Sequence, residues 1–352
     1  MTTVSAQMRA WRLHEYGQPI EVLRLEHVDI PEPGAGELRV KVLGIPFNLN
    51  DLERVTGGNM MVKPEFPYSP GMEVMGLVDK CGGGCEAWHG KHVVAMPAGA
   101  HGGYAEYAIC APVSAFEVPK DIPLPDAAAI YFPYHLAWLG LIERAKLQGG
   151  ETVLIHAAAG SVGSAAIQLA VNAGARVIAT VGSDEKSKWC RKLGAEIIVN
   201  YNRDDFVASV KEATDKKGVD IVFDTVGAAV MEQSLGAIAY NGRYIMMGFS
   251  SDKTVADEKF LVPRRLALSN ISLCTVMLAY ADEAMSEFLN DGMGWNFVPA
   301  ALGEKINRII VSLVQKGQIK PAVGRVVDFD DIPQTLQDLA DRKTVGKLIA
   351  IP

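Results

Sequence analysis

An uncharged stretch of 24 residues, Thr152–Ala175, lies near the middle of the 352-residue chain and limits the folds that the chain can adopt. A strand-like run leads into a small-residue turn, Ala157–Gly163, which leads into a helical pattern. The length suits a membrane span, but glycines and the polar His156, Gln168 and Asn172 interrupt it. We therefore predict a buried strand, a tight turn and a buried helix.

From residue 152 onward, strand-like and helical runs alternate. Strands are predicted at Val153–His156, Arg176–Val181, Glu196–Asn200, Asp220–Asp224, Arg243–Met247 and Ile271–Thr275. Helices are predicted between them at Ser161–Ala173, Asp184–Leu193, Asp205–Thr214 and Met231–Ala239. Such alternation is typical of a parallel sheet between helix layers, and six strands suit a doubly wound dinucleotide fold.

Residues before about Asp126 have a different pattern. Short β-rich pieces, such as the alternating Leu38–Val42, are separated by glycine and proline and indicate a barrel-like, mostly antiparallel region. At the other end, two helices at about Glu304–Lys316 and Ile332–Arg342 precede Lys347–Ile351, a strand expected to return to the first domain. The fold class is therefore α/β with two domains.

Composition narrows the functional classes. The chain has 34 Lys and Arg against 41 Asp and Glu, a net charge of −7, and 49% hydrophobic residues. This excludes a disordered chain and argues against the basic surface that nucleic acid or an anionic membrane requires. Five sparse cysteines suit reduced thiols, and Met1–Arg12 lacks the apolar stretch of a signal peptide, so we expect a cytoplasmic location.

The turn itself predicts a nucleotide site. Gly160 would let the backbone approach a pyrophosphate, Gly163 would let the helix pack on its strand, and the helix N-terminus would bind the phosphates. Alanine replaces the first glycine of the fingerprint, so a plain βα turn is the alternative. The series of βα units around the turn favours the nucleotide.

Coenzyme type is read at the end of the second strand, where an NAD site carries an acid for the ribose 2′-hydroxyl. Here the strand ends in Val181-Gly182-Ser183, and Lys186 and Tyr201 follow. Ser183, Lys186 and Tyr201 are predicted to bind a 2′-phosphate, which favours NADPH. Two alternatives stay open: Lys186 as a solvated helix residue, and Asp184 with Glu185 as adenosine contacts.

Together these motifs resemble the zinc-independent quinone oxidoreductases, the zeta-crystallin-like branch of the medium-chain dehydrogenase/reductase superfamily. The matching segments run in family order along the chain: Met8–Ala10, Pro70–Glu73, His101–Tyr107, Ala157–Gly163, Thr180–Ser183, Asn200–Tyr201, Asp224–Gly227 and Val345–Lys347. The resemblance implies a GroES-like catalytic domain formed by residues 1–130 and 292–352, and a Rossmann domain formed by residues 131–291, with the cofactor in the cleft between them.

The resemblance also indicates whether the chain has the ligands of a zinc site. Zinc-dependent relatives place a Cys and a His where this chain has Pro46-Phe47-Asn48 and Met72, so two of three ligands are missing. The four closely spaced cysteines of a structural zinc lobe are absent too, and Cys81 with Cys85 is the nearest pair. We predict no metal.

Hydride transfer from NADPH to a quinone or an α,β-unsaturated carbonyl is the implied activity. Asn48 matches a family residue that lines the nicotinamide cleft and would bind a cofactor ribose or the developing enolate. Leu136 stands where relatives carry Thr, so Tyr134 or His135 would supply the hydrogen bond or proton, unless His135 turns away. Asp51 is expected to cap a turn, and Glu53 replaces a family Tyr that contacts substrate.

The predicted phosphate turn comprises Ala159, Gly160, Ser161, Val162 and Gly163. The resemblance adds Val226, Gly248, Phe249 and Arg342 as cofactor contacts, the last with a solvated helix end as its equal alternative. An enoyl-thioester reductase is an alternative function, since Arg264-Arg265 with Lys253 and Lys259 would attract a CoA phosphate. A nucleotide-binding protein with little catalysis is another. The resemblance also implies a homodimer formed through the late strand 270–276.

Overall fold

The computed structural model describes residues 6–58, 63–248 and 263–352. The chain divides into two compact units. Unit 1 is Met1–Tyr131, Ala279–Gln315 and Val323–Pro352, and unit 2 is Phe132–Leu278 and Lys316–Ala322. Both ends of the chain thus contribute to unit 1, and the middle of the chain forms most of unit 2. Relative to the predicted domain bounds, residues 279–291 group with unit 1 and residues 316–322 with unit 2.

The strands, numbered along the chain, fall into two groups. Unit 1 contains β1 Gln7–Leu13, β2 Leu23–Asp29, β3 Leu38–Pro46, β4 Val74–Cys81, β5 His92–Pro97, β6 Tyr107–Glu117, β13 Tyr280–Ala281, β14 Val298–Pro299, β15 Val323–Asp328 and β16 Lys347–Ile351. Unit 2 contains β7 Thr152–Ile155, β8 Arg176–Val181, β9 Ile197–Asn200, β10 Val219–Asp224, β11 Ile238–Met246 and β12 Ser272–Thr275.

The helices divide in the same way. Unit 1 has α1 Pro19–Val22, α2 Leu49–Thr56, α9 Glu283–Met293, α10 Ala300–Gln315 and α11 Ile332–Ala340. Unit 2 has α3 Tyr131–Trp138 (whose first residue belongs to unit 1), a π-helical continuation Leu139–Arg144, α4 Ser161–Asn172, α5 Asp184–Lys192, α6 Phe206–Ala213, α7 Ala228–Ala237 and α8 Pro263–Ser269.

The sheet of unit 2 is parallel throughout, with strand order β12-β11-β10-β7-β8-β9. The two halves diverge from the neighbouring strands β7 and β10, which is the doubly wound order of a dinucleotide-binding fold. All six predicted strands are confirmed. Helices on the sheet bury Leu154, Ile178, Val222 and Tyr244 in a common core, which explains the low charge of the central stretch.

One strand begins earlier than predicted. β11 starts at Ile238, whereas the predicted strand starts at Arg243. The prediction is late because Asn241-Gly242 is typical of a turn, yet both residues lie within the strand. Asn241 there has a φ of 60°, and the β10–β11 register shifts between Val219 and Ile221. The irregularity is accommodated inside the ladder, so the turn signal misplaces the boundary.

The main sheet of unit 1 has the order β15-β16-β3-β4-β5-β6, and β3 also pairs with β6. The β3–β6 pairing closes the four antiparallel strands β3, β4, β5 and β6 into a barrel. The C-terminal strand β16 returns to the first domain, as predicted; it pairs with β3 and runs parallel to β15. The GroES-like fold class is confirmed. In the described ranges, no helix has the length and apolar character needed to cross a membrane.

Candidate functional site

The predicted phosphate turn connects β7 with α4. Gly160 directly precedes the helix with an extended backbone, φ −72° and ψ 173°, and its N–H donates to the carbonyl of Ala157 at 3.0 Å. The first N–H groups of an α-helix have no acceptor within the helix. Those of Ser161, Val162 and Gly163 therefore form a cluster of donors suited to a pyrophosphate.

Glycine occurs at the two positions of the turn for different structural reasons. A Cβ on Gly163 would lie 2.5 Å from the Ala157 carbonyl oxygen and 2.7 Å from the Cα of Ala158, so only glycine lets the helix pack there. A Cβ on Gly160 would meet only the Ala157 oxygen, at 3.3 Å. Protein packing explains Gly163, whereas close approach of a ligand is the better explanation of Gly160.

The predicted 2′-phosphate residues lie at the carboxyl ends of β8 and β9. Ser183 caps α5, its Oγ accepting from the N–H of Lys186 at 3.2 Å. Tyr201 is 52% exposed and its hydroxyl lies against Gly182, where a Cβ would approach to 2.5 Å. Glycine at position 182 therefore makes room for Tyr201. Asn202 fixes the same turn by donating to the Gly182 carbonyl at 2.8 Å.

At the ends of β10 and β11, a buried aspartate organises the turn that contains Val226. Asp224 accepts from the N–H groups of Val226 at 2.7 Å and Gly227 at 3.1 Å, and from the Tyr244 hydroxyl at 2.6 Å. Gly248 approaches this turn so closely that a Cβ would lie 2.1 Å from the Thr225 oxygen. Phe249 lies outside the described residues.

His156 is a buried residue to which the sequence assigned no role. Its ring nitrogens contact Thr180 Oγ1 at 3.0 Å and Ser234 Oγ at 2.9 Å, which joins the β7 turn to β8 and α7. Burial lowers the pKa of His156 to about 4, so the imidazole is neutral at physiological pH. Two neutral hydroxyl partners suit that state, and we assign His156 a structural role beneath the phosphate turn.

In unit 1, Asn48 belongs to a buried ionic cluster. Lys347 Nζ lies 2.6 Å from Glu73 Oε2 and 2.7 Å from Asn48 Oδ1, and Asn48 Nδ2 donates to Glu73 at 2.9 Å. Lys347 and Glu73 are 1% and 0% exposed. The carboxamide is held at both ends, and it has a second N–H with which to bind a ligand.

Asp51 caps the helix that follows Asn48, as predicted. Its two carboxylate oxygens accept from the N–H of Asn48 at 2.8 Å and of Met72 at 2.9 Å. Burial raises the pKa of Asp51 to about 6, although Arg54 and the two backbone donors oppose that rise. Asp51 thereby joins α2 to the segment before β4, and this fixes the backbone of both Asn48 and Met72.

Tyr134 lies in a hydrogen-bond network that the sequence did not predict. Its hydroxyl is completely buried, donates to the Lys320 carbonyl at 3.2 Å and accepts from Gln168 Nε2 at 2.8 Å, while Gln168 Oε1 accepts from the Lys320 N–H at 2.8 Å. This network secures the segment 316–322 to unit 2. A hydroxyl engaged in this way is poorly suited to supply a proton, so the structure favours a structural role.

Replacing Tyr134 by Phe should therefore lower stability without removing a proton donor. We expect the free energy of unfolding to fall by about 1–3 kcal/mol, because Gln168 and Lys320 lose a buried partner. The turnover number should change by less than about tenfold, whereas loss of a general acid costs about 10²–10⁴-fold. Urea titration and steady-state kinetics measure both, with the exposed Tyr240→Phe as control. A hundredfold loss of turnover in a stably folded variant would restore the catalytic assignment.

Two remaining predicted residues are placed as follows. His135 is completely buried in α3 and remains a proposed proton donor. Arg342 is exposed, follows α11 in unit 1 and has a φ of 58°. Its proposed phosphate contact and the solvated helix end therefore both stay open.

The described ranges contain no candidate metal centre. No group of three or more His, Cys, Asp and Glu side chains lies close enough there to hold an ion. Cys81 and Cys85 are free thiols, and burial raises the pKa of Cys81. The absence of metal stays a prediction from the residues at positions 48 and 72.

Comparisons with known proteins agree with this architecture. Residues 34–120 match the alcohol dehydrogenase GroES-like domain, and residues 161–291 match the zinc-binding dehydrogenase family. The pig quinone oxidoreductase is 32% identical over 353 residues, which cover 100% of both chains.

Two solved structures extend the comparison. A mycobacterial protein in complex with NADPH is 30% identical, with a TM-score of 0.83 over 98% of this chain and 100% of that one. A human synaptic vesicle membrane protein VAT-1 homolog-like protein is 26% identical, with a TM-score of 0.81 over 99% of each chain.

The barrel, the doubly wound sheet and the glycine turn define a medium-chain dehydrogenase/reductase. Within that superfamily, the chain belongs to the quinone oxidoreductase branch, as the full-length identity to the pig protein shows. It is an oxidoreductase of that family.

Proposed function

We propose that the protein is an NADPH-dependent, zinc-independent oxidoreductase that transfers a hydride to a quinone or an α,β-unsaturated carbonyl. The observation that carries the proposal is the turn before α4, where helix N–H groups are presented and a Cβ on Gly160 would meet only the Ala157 oxygen. The NADPH complex of the mycobacterial relative supports the same coenzyme. When bound, NADPH supplies the hydride from C4 of its nicotinamide.

The residues of this chain would then bind, orient and stabilise charge. Ala159 to Gly163 would hold the pyrophosphate, and Ser183, Lys186 and Tyr201 the 2′-phosphate. Val226, Gly248 and Phe249 are proposed for the nicotinamide end, and Arg342 for a phosphate. Asn48, its amide oriented by Glu73 and Lys347, would donate its second N–H to a ribose or to the oxygen that becomes negative.

Lys186→Ala tests the assignment of the 2′-phosphate. We expect the Kd of NADPH to rise by about tenfold or more, since a charge-assisted contact is worth roughly 1.5–3 kcal/mol, while the Kd of NADH changes little. Fluorescence titration with each nucleotide measures this. Lys192→Ala, at the last residue of the same helix, is the control. An equal loss for NADPH and NADH would remove Lys186 from the phosphate site.

The acceptor is tested by a panel. Wild-type protein with saturating NADPH is mixed with quinones, short enones and crotonyl-type CoA thioesters, and the rate of NADPH oxidation is compared. We expect quinones or free enones to be preferred. Arg265, one member of the cluster that motivates the thioester alternative, already pairs with Glu232 at 3.0 Å, and Lys253 and Lys259 lie outside the described residues. Thioesters reacting faster than free enones would favour that alternative.

A nucleotide-binding protein with little catalysis is the second candidate. The same fold occurs in a protein named after a synaptic vesicle membrane protein rather than a reaction, and a fold by itself does not establish turnover. Glu53 and Leu136 also depart from the residues that the family places near substrate. Tight NADPH binding without oxidation by any acceptor of the panel would favour this candidate.

We also propose a homodimer. β12 is the edge strand of the parallel sheet, and Leu273 and Met277 are 41% and 49% exposed on and beside it. Among the described residues β12 pairs only with β11, and a free strand edge with apolar side chains suits pairing with a second copy. Light scattering should give twice the mass of the 37.9 kDa chain. A monomer at micromolar concentration would contradict the proposal.

A further inference from the structure

An exposed ion pair borders the proposed 2′-phosphate residues. Arg203 Nη2 lies 2.9 Å from Asp184 Oδ1, and Nη1 lies 3.3 Å from Oδ2, so the two groups meet side by side. Their side chains are 60% and 69% exposed. Ion pairs with this exposure contribute little to folding stability. Folding stability therefore does not explain this pair.

The backbone around the pair fixes its location. Asp184 directly follows Ser183 at the start of α5, and Arg203 follows Tyr201 and Asn202 after β9. The Arg203 N–H donates to the Asn200 carbonyl at 2.9 Å, and Asn202 secures the turn to Gly182. The pair therefore links the two segments that carry the proposed phosphate ligands.

The two groups have opposite preferences for the coenzyme. A carboxylate at this end of the second strand suits the 2′-hydroxyl of NADH and repels a 2′-phosphate. A guanidinium binds phosphate through two parallel N–H groups and suits NADPH. Lys186 alone would have to overcome the charge of Asp184, whereas Arg203 offsets that charge directly.

We propose that the Asp184–Arg203 pair determines coenzyme choice, with Arg203 neutralising Asp184 and contributing a cation to the 2′-phosphate of NADPH. The inference rests on the proposed function. Without Arg203, the negative charge of Asp184 at the ribose is not compensated, and the site then prefers NADH to NADPH. Without the charge of Asp184, Arg203 is released entirely for the phosphate.

The test is fluorescence titration of the full-length protein with NADPH and with NADH, without any acceptor. Arg203→Gln should raise the Kd of NADPH at least tenfold and leave the Kd of NADH within about twofold. Asp184→Asn should lower the Kd of NADPH severalfold and raise that of NADH. Competition by adenosine 2′,5′-bisphosphate against 5′-AMP isolates the 2′-phosphate and should show the same changes.

The matched control is Arg176→Gln. Arg176 pairs with Glu196 at 2.9 Å and is also on the surface, but it lies at the opposite end of β8. The Arg176→Gln variant should keep the wild-type ratio of the Kd of NADPH to the Kd of NADH. If Arg203→Gln weakens both nucleotides equally, or weakens neither, the inference fails while the proposed function stands. If the wild-type protein binds neither nucleotide, the proposed function fails, and the inference fails with it.

Discussion

Replacing Lys347 by Met is expected to lower the free energy of unfolding by about 3–5 kcal/mol, because it leaves the carboxylate of Glu73 buried without its cation. Asn48 Oδ1 loses its donor in the same variant. For a unit of this size the loss corresponds to a decrease in Tm on the order of 10 °C. Urea and thermal unfolding followed by circular dichroism measure it.

The chain offers a matched control four residues earlier. Lys343 lies 2.7 Å from Asp341, but the two side chains are 62% and 37% exposed, so Lys343→Met should cost less than about 1 kcal/mol. Adding Glu73→Gln to Lys347→Met removes both charges and should recover part of the stability. Unfolding of Lys347→Met at the wild-type midpoint would contradict the role given to the cluster.

Gly163→Ala is expected to destabilise unit 2 and to impair nucleotide binding together. The new methyl group would contact backbone atoms of Ala157 and Ala158, so α4 has to move away from the turn. Such overpacking costs about 1–3 kcal/mol. The same movement displaces the helix N–H groups, so the Kd of NADPH should rise by at least about tenfold.

Gly160→Ala is the informative companion. Its methyl group would crowd only the Ala157 oxygen, at 3.3 Å, and its φ of −72° suits alanine, so stability should change by less than about 1 kcal/mol. The methyl group would stand where the pyrophosphate is proposed to approach, so NADPH binding should still weaken strongly. A Gly160→Ala protein that binds NADPH as tightly as the wild type would show that the turn is not a phosphate site.

The parts of the fold that the sequence predicts well depend on local patterns. The uncharged stretch and the spacing of Gly160 and Gly163 are contained in β7, the turn and α4, and these elements form as expected. Similarly, the alternation in Leu38–Val42 is part of β3. Hydrophobic periodicity and turn chemistry act over a few residues, so both can be read without the tertiary structure.

The rest depends on contacts between distant residues. Lys347 is 299 positions from Asn48 and 274 from Glu73, and no local pattern indicates that the three meet. Tyr134 resembles a free polar side chain in the sequence, but Gln168 and Lys320 engage its hydroxyl. From the sequence, Arg203 would be interpreted as a solvated turn residue, and only the structure shows its ion pair with Asp184. Tertiary packing decides each case.

Isotope tracing tests whether the protein transfers a hydride from NADPH. NADPH deuterated on each face of C4 in turn is incubated with the wild-type protein and an enone, and the reduced product is analysed by mass spectrometry. We predict that one of the two labelled coenzymes delivers its deuterium to the β-carbon of the product. Hydride transfer would be contradicted if NADPH binds tightly but delivers no deuterium to an enone and is not oxidised by any quinone.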